Sequence, residues 1–200
     1  MNIDLYKKVK MQKKITALSE ELVKYLENKK DFILKKWKSV FWDSFGEEAK
    51  RFFTKEVDRF QNPFGYRIDE TFEGLIGVLF GDFKWDEAEY YLRRLVQLRA
   101  VQETIPSRAL NMFLQLKGII RKEMGEEILK KFGIEEFLKI EDRINAFMLK
   151  SFDFFMDYRE KLNQLRYDEW KRAHFLLLKR AGLVYDPMEG MPKSESEEIN

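Results

Sequence analysis

The chain contains no cysteine. Disulfides, thiolate metal sites and cysteine nucleophiles are therefore excluded, and the composition suits a reducing compartment such as the cytoplasm. Histidine occurs once, as His174. One imidazole cannot complete the two Glu-x-x-His pairs with which helical bundles hold di-iron centres, and no activated serine lies near it in sequence to form a triad. Glycine and proline are scarce, ten and four in 200 residues, so little interrupts a helix. No apolar run approaches the ~20 residues that span a bilayer. The clean run nearest the C-terminus is Phe175–Leu178. No phosphate-cradling GxxxxGK[ST] loop and no GxGxxG occurs. The opening "MNIDLYKKVKMQKK" has lysines but no apolar stretch behind them, unlike a secretory signal. Carboxylates are plentiful but sit beside Lys or Arg in solvated patterns. These absences lead to the expectation of a non-enzymatic, cytoplasmic protein with no catalytic residue, no metal, no cofactor and no transmembrane segment.

Apolar residues make up 44% of the chain and charged residues 36%, a mix that suits a protein rich in surface helix. The net charge is only +2, but its layout is uneven. Residues 1–40 hold eleven Lys against five acids, and residues 186–200 hold five acids against one Lys. A basic arm can touch nucleic acid or an anionic surface. Here the aromatic residues lie on the apolar stripe, the pattern of a solvated amphipathic helix, and no nucleic-acid partner is expected.

Periodicity predicts helix almost throughout. Leu18, Leu22, Tyr25, Leu26, Phe32, Ile33, Trp37 and Phe41 are expected to share one face, and "ENKKD" between Glu27 and Asp31 suggests a break into two helices. "FGEEAKRFFTKEVDRF" reads as a third helix. A fourth is expected to begin at Asp69–Glu70, where Gly74 and Gly77 cost propensity and invite close approach by a neighbour. Helices follow from Trp85, from Pro106 (a residue the first helical turn tolerates) and, after a stop at Gly133, from Ile134 to Ala181 without Gly or Pro. The fold class is thus all-α, a helical bundle with a long C-terminal helix. The divisions are a basic arm over 1–14, a helical domain over 15–150, a long-helix extension over 151–182 and an acidic tail over 183–200, expected to be disordered.

Two short stretches stand out. In "FQNPFGYRI", Asn62, Pro63, Gly65 and Tyr66 form a turn embedded in apolar residues. Pro63 fixes φ and Gly65 can adopt φ > 0, so a sharp reversal is expected, with Phe60, Phe64 and Tyr66 folded inward. In "LRAVQETIPSRAL", Arg99, Gln102, Thr104, Ser107 and Arg108 gather at a helix–helix junction. One reading is capping, with Thr104 receiving the new helix and Gln102 tying the ends. The other is a small polar pocket at a helix N-terminus that binds an anion.

Together these stretches resemble the N-terminal domain of RsbT co-antagonist proteins of the RsbR/RsbD type. The motifs are NPxGY, on Asn62, Pro63, Gly65 and Tyr66, and RAVQxxxPSxAL, on Arg99 to Gln102 with Pro106, Ser107, Ala109 and Leu110. The resemblance covers roughly residues 15–150. It implies an all-α, globin-like sensory domain, without haem in characterised relatives, that works in stress signalling. Relatives carry a STAS domain after a linker helix and capture a switch kinase. No STAS segment follows within these 200 residues, so that route is not expected here. Stand-alone family members occur, some beside sulfur-metabolism redox complexes of anaerobes. A protein partner is implied but not named. The alternative on the same fold is a haem or small-ligand sensor, for which His174 offers the sole histidine.

Along the last helix Ile144, Met148, Ser151, Phe155, Tyr158, Leu162 and Leu165 recur at alternating steps of 4 and 3, a heptad seam. Glu169 and Arg172 break it, and Trp170, Ala173, Leu177 and Ala181 form a displaced seam. The first part is expected to pack on the bundle with Phe147 and Phe154. The distal part either folds back on residues 1–30 or pairs in a homodimer through Tyr158, Leu162, Leu165, Trp170 and Leu177.

Overall fold

The computed structural model describes residues 17–45, 47, 50–51, 62–102 and 105–183. They form α1 (Glu20–Asp43), α2 (Pro63–Phe80), α3 (Trp85–Gln102), α4 (Pro106–Ile120), a π-helical turn (Arg121–Gly125) and α5 (Glu126–Arg180). No strand occurs among the described residues, so the protein is all-α with a long C-terminal helix. The expected helix over residues 45–60 lies largely outside the described residues. No described helix is long and apolar enough to cross a membrane.

α1 is one helix of 24 residues, not two. "ENKKD" contains neither Gly nor Pro. Glu27 and Asp31 stay exposed while Leu26 and Ile33 point inward, so the charges occupy the outer face without breaking the backbone ladder. Leu22, Leu26, Ile33, Trp37 and Phe41 are buried together. Trp37 contributes area and a polar handle at once. Its ring meets Phe72 edge-on at 4.6 Å, and its indole N–H donates to the Met112 carbonyl at 2.9 Å. α1 thereby packs on α2 and α4, and α3 closes against both of those helices.

α2 begins six residues before the expected start, and the turn at its head differs from expectation. Asn62 is the N-cap: its side-chain oxygen accepts from the Gly65 N–H at 2.8 Å, and Pro63 takes the first helical position. Gly65 is helical and buried, whereas the positive-φ glycines described are Gly133 and Gly182. Asn-Pro here starts a helix instead of reversing the chain. Tyr66 is 39% exposed, not folded inward. Phe60 lies outside the described residues. The apolar character belongs to the helix that follows, where Ile68, Phe72, Leu75, Ile76, Leu79 and Phe80 are buried.

Gly133 (φ 85°, ψ 171°) bends the backbone inside α5, at the expected break. The structure divides into two units, Met1–Arg159 and Glu160–Asn200. Within the first, α5 is joined to the bundle by long side chains. Lys150 pairs with Glu89 at 3.3 Å, Arg159 donates to the Ala100 carbonyl at 3.1 Å, and the Arg93 guanidinium lies 4.0 Å from the Phe154 ring centre. Tyr25 donates to the Glu127 carboxylate at 2.6 Å. Burial, then that bond, holds the Tyr25 phenol well above its usual range.

Candidate interaction surface

The residues of the expected polar junction separate. Arg99 on α3 turns inward and is 6% exposed. Its guanidinium donates to the Ser44 hydroxyl at 3.1 Å and to the Ala109 and Arg108 carbonyls at 3.4 Å, and it lies over the Phe41 and Phe45 rings. Gln102, Ser107 and Arg108 are exposed, and Thr104 lies outside the described residues. The N-cap of α4 is Ile105, which has no side-chain cap; Pro106 is N1, and the Arg108 and Ala109 N–H groups donate to the Ile105 carbonyl at 3.1 Å. Arg99 is thus a buried cation that ties α3 to α4 and to the end of α1, and no pocket of Gln102, Ser107 and Arg108 side chains gathers about it. Helical spacing placed Arg99 and Gln102 on one face, but Gln102 is the last residue of α3, where the bundle ends.

A second buried cation had no sequence signal. Arg143 of α5 is 1% exposed and donates to the Leu79 and Gly81 carbonyls at 2.8 and 2.7 Å. It supplies a positive group at the C-terminus of α2, where carbonyls lack helical partners and the helix dipole is negative. Its Nε has no hydrogen-bond partner. Burial pushes the guanidinium down to about 10, opposed by Asp82 and Glu136, so it stays charged at neutral pH. Nearby, Glu141 is buried between Lys117 and Arg121, at 3.3 and 2.5 Å. Desolvation raises its carboxyl, but the bonds from Arg121 and Lys117 outweigh this and hold it below the usual range.

One open groove of about 600 Å³ lies beside the start of α2, lined by Pro63, Tyr66, Arg67, Glu70, Tyr90 and Arg94. Arg94 already donates to the Glu70 carboxylate at 3.1 Å and to the Tyr90 hydroxyl at 3.0 Å. The groove is therefore floored by a satisfied ion pair and carries two exposed tyrosines. Among the described residues no cluster of three or more His, Asp or Glu is arranged to hold a metal ion.

Among the described residues of the second unit, large apolar side chains are repeatedly exposed. Leu165, Trp170 and Leu177 stand 59%, 56% and 60% exposed. Tyr167, Phe175, Leu176, Leu178 and Leu183 are exposed as well, and Leu162 is half-buried. Tyr158, in the first unit, is also half-buried. One turn apart, Tyr167 and Trp170 stack at 6.2 Å, and His174 lies 4.1 Å from the Trp170 ring, its Nδ1 2.9 Å from the Trp170 carbonyl. The sole histidine thus belongs to an aromatic ladder on an exposed helix face. Sequence spacing found Trp170 and Leu177. It passed over the ladder, although Tyr167 lies three residues before Trp170 and His174 four after it, so that Tyr167, Trp170, His174 and Leu177 themselves run at steps of 3, 4 and 3.

The chain matches no protein-family model, no curated protein and no solved structure.

Proposed function

We propose that this chain is a non-enzymatic, partner-binding regulatory module, in which a helical bundle carries an apolar recognition helix over residues 160–183. The observation that supports it most is the apolar exposure of that helix. Eight large apolar side chains between Leu165 and Leu183 stand 42–73% exposed. At about 100° per residue they fall on two faces, Tyr167, Trp170, Leu177 and Leu178 on one and Leu165 and Leu176 on another, with Phe175 between and Leu183 past the helix end. Clustered apolar exposure of this kind marks interaction surfaces in soluble proteins. The resemblance of the NPxGY and RAVQxxxPSxAL stretches to RsbT co-antagonist sensory domains agrees with a regulatory role on a globin-like bundle. The buried cations Arg99 and Arg143 contact backbone carbonyls, as scaffold residues do.

The test is quantitative affinity capture from the native cell with the intact chain and with Leu177→Glu. The expected result is a defined set of retained proteins that falls at least tenfold with the variant. Equal capture by both, or no specific capture, overturns the assignment of recognition to this helix.

A further inference from the structure

We infer that the groove beside the start of α2 binds a small oxyanion carried on a flat ring, the anion held by Arg67 and Arg94 and the ring against Tyr66 and Tyr90. This goes beyond the partner-binding reading above and stands on different residues. α2 and α3 touch where Gly74 faces the Tyr91 ring. The groove lies further toward the start of α2, between Pro63, Tyr66, Arg67 and Glu70 of that helix and Tyr90 and Arg94 of α3. Its volume of about 600 Å³ is within the range of small-molecule sites.

The lining holds two guanidiniums and one carboxylate, so one positive charge is in excess. The Arg94–Glu70 pair leaves most of the arginine unused. Nη1 makes both of its bonds, to the Glu70 carboxylate at 3.1 Å and to the Tyr90 hydroxyl at 3.0 Å. Among the described residues Nε and Nη2 of Arg94 donate to no protein group, and the exposed Arg67 side chain has no hydrogen bond or ion pair. Arg99 and Arg143, by contrast, are buried against backbone carbonyls. The paired N–H groups of a guanidinium match the two oxygens of a carboxylate or phosphate. The ring site adjoins the charge. Tyr66 and Tyr90, one from each helix, stand 39% and 55% exposed, and the Arg94 guanidinium lies 5.2 Å from the Tyr90 ring centre. Glu70 repels a run of acids, so a single anionic group fits this lining and an acidic peptide does not. The same carboxylate occupies an Arg94 donor and so competes with the incoming anion. The first turn of α2 adds little: Pro63 has no N–H, and the Gly65 N–H is taken by Asn62.

Titration calorimetry of the full chain at low ionic strength, with AMP and with benzoate, tests this. The two probes carry the same pair of features, one from a nucleotide and one from an aromatic acid, and the tighter of them names the source. The expected result is one site for at least one probe. The ring alone (adenosine or benzyl alcohol) and the anion alone (phosphate or acetate) should bind roughly tenfold more weakly or worse. Arg67→Gln, at an exposed position, should weaken the tighter probe by roughly tenfold. Glu70→Gln should tighten it by roughly threefold, because the whole Arg94 guanidinium is then free. No binding of either probe at about 1 mM overturns the site. Binding that survives Arg67→Gln overturns its location, and a ring or an anion alone that binds as tightly overturns the two-part recognition. Equal or weaker binding to Glu70→Gln overturns Glu70 as the competitor. Leu177→Glu should bind the probe as the parent chain does, so failure of the groove leaves the recognition helix standing, and failure of that helix leaves the groove.

Discussion

Two stretches of α5 carry similar side chains and meet opposite ends. Phe147, Phe154 and Phe155 are at most 2% exposed, whereas Phe175, Leu176 and Leu177 stand 44–60% exposed. Both stretches are helical, and both are rich in large apolar side chains. The difference is what faces them. Phe147 meets Phe83 at 5.4 Å and Phe154 lies beneath Arg93, both contributed by the bundle. Periodicity reports which face of a helix is apolar; whether the same chain covers that face depends on neighbours far away in sequence.

The sharpest way to break this contrast is to cut a large side chain from each region. Trp37→Ala removes a fully buried ring and the donor to the Met112 carbonyl, and should lower the unfolding free energy by about 3–5 kcal/mol. Leu177→Ala in the exposed helix should change it by less than about 0.5 kcal/mol under monomeric conditions. Urea melts of both variants at low protein concentration make the comparison. A loss above about 2 kcal/mol for Leu177→Ala would show that the distal face is covered by its own chain.

A second prediction concerns a charge inside the buried region. Arg143→Met keeps most of the volume but leaves the Leu79 and Gly81 carbonyls without their donor at the end of α2. A loss of about 2–3 kcal/mol is expected, because buried acceptors then stand unpaired. The apolar replacement also abolishes the cost of burying an ion, so an unchanged or raised urea midpoint would mean that desolvation outweighs the two bonds.

How much of this was legible beforehand depends on the range of each interaction. The all-α class, the stop at Gly133 and most of the inner faces of α1 and α5 follow from local spacing and stand, but Phe32, expected on the inner face of α1, is 47% exposed, and Leu165, expected on the α5 seam, is 59% exposed. Asn62 was singled out correctly as unusual but misjudged in kind: Asn-Pro is a turn former and also an N-cap with its N1 proline, and only the Gly65 N–H bond decides between them. "ENKKD" suggested a break because its charges interrupt the apolar rhythm, yet charges on an outer face do not interrupt a backbone. Of the candidate junction, Arg99 proved buried and the exposed residues did not join it. Arg143 was invisible, since its role lies in carbonyls more than sixty residues away.

The smallest effect separates two residues that look identical in sequence. Gly74 and Gly77 both lie in α2, and both were expected to admit a close neighbour. A Cβ built on Gly74 falls 2.2 Å from the Tyr91 ring, whereas one on Gly77 meets nothing within 4 Å. Gly74→Ala therefore has to push Tyr91 out of its partly buried site between α2 and α3, and overpacking of this kind costs about 1–3 kcal/mol. The gain in helix propensity, roughly 1 kcal/mol, offsets part of that, which leaves a net loss of about 1 kcal/mol. Gly77→Ala keeps the whole propensity gain and should be stabilising by up to about 1 kcal/mol. Thermal or urea midpoints of the two single variants should thus move in opposite directions. A shared direction would mean that Tyr91 swings aside at little cost, and that α2 and α3 are held together by their larger side chains alone.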